Sequence, residues 1–208
     1  MTSDLHIHTK YSDGELDEYE IIDEVINSNI REFSICDHDT IEGSKKVDEI
    51  LKNEKYNLVF HSGVELSCRY NGINMHLLVR DFDYNDEDIL YLVDKITKLR
   101  KLRIKVMLEL IKDVYDVDVD IYEVEQMANA TNSFGKPHLY KILSKYGDYD
   151  REAYYRNMDK LKSDKFKLDV REVLLRLKNS KCYVTLAHPI EVMKEYDFSF
   201  NDIDELVK

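Results

Sequence analysis

His6 and His8 flank Ile7 in the opening stretch DLHIHTKYSDG. In a strand, residues i and i+2 project from one face, roughly 6–7 Å apart at Cα. Two imidazoles so placed can share one divalent ion. Further polar residues recur where the sequence marks strand ends: Asp13 in the SDG turn, His38 within CDHD, Glu65 in GVE, His76 in NMH and His188 in AHP. Imidazole and carboxylate together suit Zn2+, Mn2+ or Fe2+, and a Glu can bridge two ions. Singly, each residue has a plainer role. Asp-Gly is common in turns, Asp37 and Asp39 could cap the helix that follows, and a lone strand histidine usually packs or is solvated. Those roles do not explain why five of the seven histidines, an Asp and a Glu all fall at strand ends. The set is read as a metal site, because barrel-like α/β folds build their sites on that rim.

The elements that must carry these residues follow from periodicity. DLHIHT reads as a strand, and LDEYEIIDEVINSN as a helix with Leu16, Ile21, Ile22, Val25 and Ile26 on one face. EFSICDHD is a second strand, a helix spans roughly Gly43 to Lys52, YNLVFHSGVELS is a third strand and NMHLLVRDF a fourth. This alternation is the α/β signature. From about Asn85 to Tyr155 nearly everything is helical. DEDILYLVDKITKLRKLRIKVMLELIKDVY reads as one long amphipathic helix, with Ile89, Leu92, Val93, Ile96 and Leu99 as its apolar stripe. The helix DVREVLLRLKNS, the strand CYVTLAHPIE and a helix over FNDIDELVK follow. An α/β domain over residues 1–83 and 169–208, interrupted by a helical insertion over 84–168, is therefore expected.

The 208 residues are 43% hydrophobic, enough for a packed core, and carry a net charge of −12. So acidic a chain is a poor coat for a nucleic-acid backbone, and no duplex nucleic acid is expected as partner. A small anionic substrate stays open, because bound cations reverse the local sign. Cys36, Cys68 and Cys182 are widely spaced and form no disulfide framework or zinc ribbon. No membrane span or signal segment is read, so no membrane partner and a reducing, cytoplasmic location are expected.

DLHIHTKYSDG, ICDHDTIEG, SGVELS, MHLLV, KPHLYKIL and TLAHP, in that order, resemble the successive motifs of the PHP (polymerase and histidinol phosphatase) superfamily. The resemblance runs from residue 4 to about residue 190. It is strongest to the branch of nucleoside 3′,5′-bisphosphate phosphatases and 5′-to-3′ exoribonucleases of short RNA. It implies a distorted, TIM-like (β/α)7 barrel with a helical insertion and up to three metal ions at the rim. It also implies hydrolysis of phosphate monoesters or short-RNA phosphodiesters by a metal-activated hydroxide, Mn2+ being the expected ion. By the same resemblance His6 and His8 hold a first ion, Glu65 bridges it to a second completed by His76 and His188, and Asp13 and His38 hold a third. His138, in KPH, would face the metals, bind phosphate or protonate the leaving group, and Lys136 stands where the family usually has a basic residue.

The family's later Asp-x-His motif, which gives one ligand each to the first and third ions, has no counterpart after His188. Two other readings therefore stand beside the phosphoesterase: a histidinol-phosphate phosphatase, and a metal-binding chain without activity. The expected partner is a small phosphorylated substrate, a nucleotide or a short RNA end. A barrel left open would expose a sheet edge for self-association. His61 matches no ligand of the family and is read as a packing histidine. Lys98, Lys101, Lys105 and Lys112 of the basic run are read as a solvated helix face rather than as a guide for RNA.

Overall fold

The computed structural model describes residues 2–130, 135–161, 166–196 and 199. The helix expected over 200–208 lies outside the described residues. The chain begins with β1 (Thr2–Ile7), α1 (Glu18–Asn27), β2 (Ile30–Ile35), α2 (Glu42–Asn53) and β3 (Val59–His61). The three strands form a parallel sheet in the order β1-β2-β3. Asp17 starts α1 with a capping box. Its side chain accepts from Glu20 N at 3.1 Å, and Glu20 Oε2 accepts from Asp17 N at 2.9 Å. Ile21, Ile22 and Val25 of α1 and Val47 of α2 then bury against Phe33 and Ile35 of β2.

The single strand expected across YNLVFHSGVELS divides. β3 belongs to the first sheet, and β4 (Gly63–Tyr70) opens a second. Gly63 makes the transfer possible. A Cβ there would lie 2.3 Å from Ser34 Oγ and 2.4 Å from Ile35 O, so only glycine lets the chain pass this close to β2. β5 (Ile73–Arg80) pairs antiparallel with β4 through Asn71 and Gly72, whose φ angles of 48° and 85° match a type I′ turn. The second sheet runs β6-β4-β5-β7, with β6 (Leu168–Asp169) parallel to β4 and β7 (Tyr183–Leu186) antiparallel to β5. An isolated parallel bridge between His38 and Glu65 links β2's end to β4. The chain is thus a mixed α/β protein with eight helices and two sheets among the described residues. Closure into a (β/α)7 barrel is not shown by them.

α3 (Glu87–Tyr115) is one helix of 29 residues, started by Asp86, whose carboxylate accepts from Asp88 N and Ile89 N. Ile89, Leu92 and Ile96 bury in the core of the second sheet, with Val93 and Leu99 packed against it. Ile104, Met107 and Ile111 enter a different core, with Leu139, Ile142 and Leu143 of α5 (Lys136–Leu143), Tyr154 and Met158 of α6 (Arg151–Asp159), and Val124 of α4 (Ile121–Ala130). The helix therefore belongs to two cores in succession. α7 (Val170–Leu177) and α8 (Pro189–Tyr196) return to the first. No helix among the described residues is long and apolar enough to cross a membrane.

Candidate metal centre

Glu65 is the focus of the site. It points inward from β4 and is 1% exposed. Five imidazoles reach its carboxylate: His6 Nε2 at 2.9 Å, His76 Nδ1 at 3.0 Å, His8 Nε2 at 3.1 Å, His188 Nε2 at 3.2 Å and His38 Nδ1 at 3.5 Å. Each comes from a different piece of the frame. His6 lies near the end of β1 and His8 just past it. His38 follows β2 and bridges to Glu65. His76 faces Ser67 across the β4–β5 hairpin, diagonal to Glu65 on the same face. His188 follows β7, and Ala187 N donates to His76 O at 2.9 Å to seat it.

Burial alone would push the Glu65 carboxyl up, but hydrogen bonds from His6, His76 and His8 outweigh it and hold the group well below the usual carboxylate range. His38 shifts the other way. Burial, with His76 beside it, lowers its pKa despite the pull of Glu65. The cluster is thus a fixed anion ringed by imidazoles, of which His38 is held neutral.

The donors sort into three overlapping groups: His6, His8 and Glu65; His38, Glu65 and His76; and His8, Asp13 and His38. In the first, His6 Nε2, His8 Nε2 and Glu65 Oε2 form a triangle with edges of 2.9, 3.1 and 2.9 Å. Ligands set at right angles about 2.1 Å from one ion are about 3 Å apart. The triangle therefore fits a shared cation. In the third, Asp13 lies 3.0 Å from His8 Nδ1 and 3.5 Å from His38 Nε2. Two buried ring nitrogens, His38 Nδ1 and His188 Nδ1, have no hydrogen-bond partner, although carboxylate oxygens lie 3.5 and 3.4 Å away. Buried lone pairs without donors, converging on carboxylates, are what a bound ion satisfies. The donor set fits a divalent metal and leaves its identity open. The structure brings all seven residues of the sequence-derived set together, but pairs His38 with Glu65 and His76, whereas the resemblance gave that second group His188.

A buried loop holds the β1 side of the site. Asp37 is fully buried and accepts from Thr9 N at 2.7 Å, Thr9 Oγ1 at 2.7 Å and Ser12 Oγ at 2.6 Å. Gly43 is pressed against it, since a Cβ there would meet Asp37 Oδ2 at 2.1 Å. Asp37 is thus tied to the β1 loop rather than serving as a helix cap.

Arg100, on α3, pairs with Asp39, which also accepts from Ser67 N at 2.6 Å. Arg103 and Lys167 stand near the same point. Burial lowers the pKa of each, reinforced by Arg100 beside Arg103 and by Arg103 beside Lys167. Sequence reasoning missed these cations. The signal for Arg100 and Arg103 was the basic run, in which the periodicity places Arg100 on the inner side, while Lys98 pairs with Asp94 and Lys112 with Asp118 at the surface; Lys167 lies outside that run. His138 and Lys136 open α5 in the second core. His138 Nδ1 accepts from Gly135 N at 3.2 Å, Lys136 pairs with Asp159, and neither is in the groups around Glu65. His61 lies apart, between Asp81 at 2.6 Å and Glu32 at 3.0 Å.

No family model matches the sequence. Over 100 residues the chain is 30% identical to a 5′-3′ exoribonuclease of Haemophilus influenzae, a stretch covering 48% of this chain and 36% of that protein. The match thus spans little more than a third of the curated relative's length. Among solved structures, a candidate metal-dependent phosphoesterase from Bifidobacterium adolescentis superposes with a TM-score of 0.74 at 21% identity, over 99% of this chain and 74% of that one. An amidohydrolase from Chromobacterium violaceum, solved with bound sulfate and no metal, superposes with a TM-score of 0.69 at 18% identity, over 100% and 72%. The chain thus shares its fold with a candidate metal-dependent phosphoesterase, and the exoribonuclease similarity agrees with the branch that the motif resemblance named.

Proposed function

We propose that this chain is a metal-dependent phosphoesterase acting on phosphate monoesters or on the phosphodiesters of short RNA. The observation that carries the reading is Glu65, one buried carboxylate within reach of five imidazoles. Divalent ions, Mn2+ first among them and Zn2+ or Fe2+ as alternatives, would supply a more acidic water and Lewis acidity toward phosphate oxygens. His6, His8 and Glu65 would hold one ion. Glu65, His76 and His188 would hold a second, and Asp13 with His38 a third. Arg100, Arg103 and Lys167 add positive charge beside Asp39 at the edge of this cluster, which offsets the chain's net −12 where an anion must approach. His138 and Lys136 would act on the leaving side. A small nucleotide or short RNA end suits this reading better than duplex nucleic acid. The frame would be a distorted PHP-type barrel over 1–83 and 169–208, with the helical unit over 84–168 inserted, in a cytoplasmic enzyme. An open sheet edge would be its route to self-association.

Turnover of a panel of phosphoesters in the presence of Mn2+ tests this reading: nucleoside 3′,5′-bisphosphates, 5′-phosphorylated short RNAs and histidinol phosphate. Release of phosphate or mononucleotide from the first two, abolished by chelator and restored by Mn2+, is expected. Turnover of histidinol phosphate alone would move the substrate class, and no metal-dependent turnover of any ester would overturn the reading.

A further inference from the structure

The cations beside Asp39 outnumber the carboxylates that face them. Arg100 and Arg103 lie three residues apart on α3, so both turn to the same side of the helix. Arg100 pairs with one oxygen of Asp39, and the other oxygen accepts from Ser67 N at 2.6 Å. Lys167 precedes Leu168, the register partner of Cys68, and so stands at the level of Ser67. Its charged neighbours are Arg103, Asp39 and Arg100. Three cations thus gather round one buried carboxylate whose two oxygens are already engaged. Among the described residues, neither Arg103 nor Lys167 makes an ion pair.

Arg69 repeats the pattern two residues further along β4. Val64, Leu66, Cys68 and Tyr70 fill the core, so Glu65, Ser67 and Arg69 project from the opposite face. Arg69 Nε is buried without a hydrogen-bond partner. The carboxylate beside it in the register, Asp169, is held by Nε and Nη2 of Arg171 at 3.0 and 3.1 Å. A half-buried cation without a counter-ion is costly, because it loses water and gains no carboxylate in return. The chain has 42 acidic and 30 basic side chains, so carboxylates are not scarce, yet no second one is placed here. An anion from outside completes such a cluster. Guanidinium forks and an ammonium group together suit the several oxygens of a phosphate.

We infer that Arg103 and Lys167, flanked by Arg69 and Arg100, form a phosphate-binding subsite that is separate from the metal donors and holds its anion with no metal bound. Asp39 and Ser67 set it beside His38 and Glu65, and none of its four cations belongs to the metal-donor groups. The phosphate has two possible sources: a second, unreacting phosphate of the substrate, or free phosphate acting on the enzyme. The first source rests on the function proposed above, whereas the binding itself does not.

Titration of inorganic phosphate into chelator-treated protein tests the subsite. It is run at about pH 8, where ordinary imidazole is neutral, and at fixed ionic strength. One saturable phosphate per chain is expected. Arg103→Met and Lys167→Met should each weaken it about 10-fold or more. Lys98→Met, which removes a surface cation of the same helix already paired with Asp94, should leave it unchanged. No saturable binding, or wild-type affinity in both Met variants, overturns the proposal. Thermal unfolding separates a binding cation from a structural one. Without phosphate, Lys167→Met should be at least as stable as wild type, and added phosphate should no longer stabilise it. A chain destabilised or unfolded by Lys167→Met would make the cation structural and would also overturn the proposal. Kinetics with Mn2+ distinguishes the sources. If the substrate supplies the phosphate, Lys167→Met raises KM for a nucleoside 3′,5′-bisphosphate and leaves KM for a nucleoside 5′-monophosphate unchanged. If free phosphate is the ligand, both KM values stay and the response of turnover to added phosphate is lost. Absence of turnover with any ester would overturn the phosphoesterase reading, with the titration still deciding this one.

Discussion

Arg100 reaches from the middle of α3 to pair with Asp39, the residue that immediately follows His38. The long helix that enters the second core is thereby tied by an ion pair to the loop carrying a candidate metal donor. Asp39 is nearly fully buried, and Ser67 N supplies its other hydrogen bond.

Arg100→Met should therefore leave a buried carboxylate short of a partner. Because Arg100 is a quarter exposed, the cost is expected at about 1–3 kcal/mol rather than the full penalty of a broken interior pair. Arg100→Lys should recover much of the stability but not a planar, two-pronged grip. Urea denaturation alongside KM for the best phosphoester checks this. If Met at this position leaves both unchanged, the ion pair has no role.

Glu65→Gln keeps the size and removes the charge that three hydrogen-bonding imidazoles stabilise. Two of the three donor groups contain Glu65. Elemental analysis should show those ions lost together, whereas Asp13→Asn should affect one ion. Wild-type metal content in Glu65→Gln would remove Glu65 from the bridging role.

Gly63→Ala forces a methyl to within 2.4 Å of Ile35 O, a backbone atom that cannot yield without moving β2. A loss of about 2–3 kcal/mol is expected. Gly72→Ala meets nothing within 4 Å, and its cost of about 1 kcal/mol comes from a φ of 85° alone. Thermal unfolding should rank the two in that order, and a reversed ranking would refute the close-approach argument.

His61 has carboxylate oxygens on both ring nitrogens, so both must donate and the ring must be charged. Burial opposes the charge, but Asp81 and Glu32 outweigh it and raise the pKa above its usual value. The stabilisation is therefore present in full below about pH 6.5 and is lost as pH rises through the raised native value. With these groups a quarter to two-fifths exposed, it should amount to no more than about 1 kcal/mol. The difference in stability between wild type and His61→Gln, measured from pH 5.5 to 8.5, should shrink with rising pH. A difference constant over that range would rule out the charged bridge.

Much of this site is legible in the sequence because metal donors are rare residue types on a simple period. His6, His8, His38, His76 and His188 could be found without knowing how the strands pair. The division of YNLVFHSGVELS was not legible, because two collinear strands on different sheets keep the same alternation. Only the steric role of Gly63 separates them. Asn71–Gly72 is a strong local turn signal for the β4–β5 hairpin, but the sequence reading above did not use it. Arg100 was hidden for the opposite reason. A cation inside a basic run looks solvated until tertiary packing turns it toward Asp39.

The Asn71–Gly72 turn also sets a timetable. A hairpin closes in about 1–10 μs, so Glu65 and His76 meet early. His6 must close a span of 59 residues to reach Glu65, and His188 one of 123. Contacts so distant along the chain form late. The donors thus arrive on separate clocks, and β7 delivers the last histidine. A half-formed centre on the hairpin could capture its ion before the rest of the chain has docked. In that case Mn2+ present during refolding should shorten the slow phase. A refolding rate indifferent to Mn2+ would place ion capture after the arrival of His188.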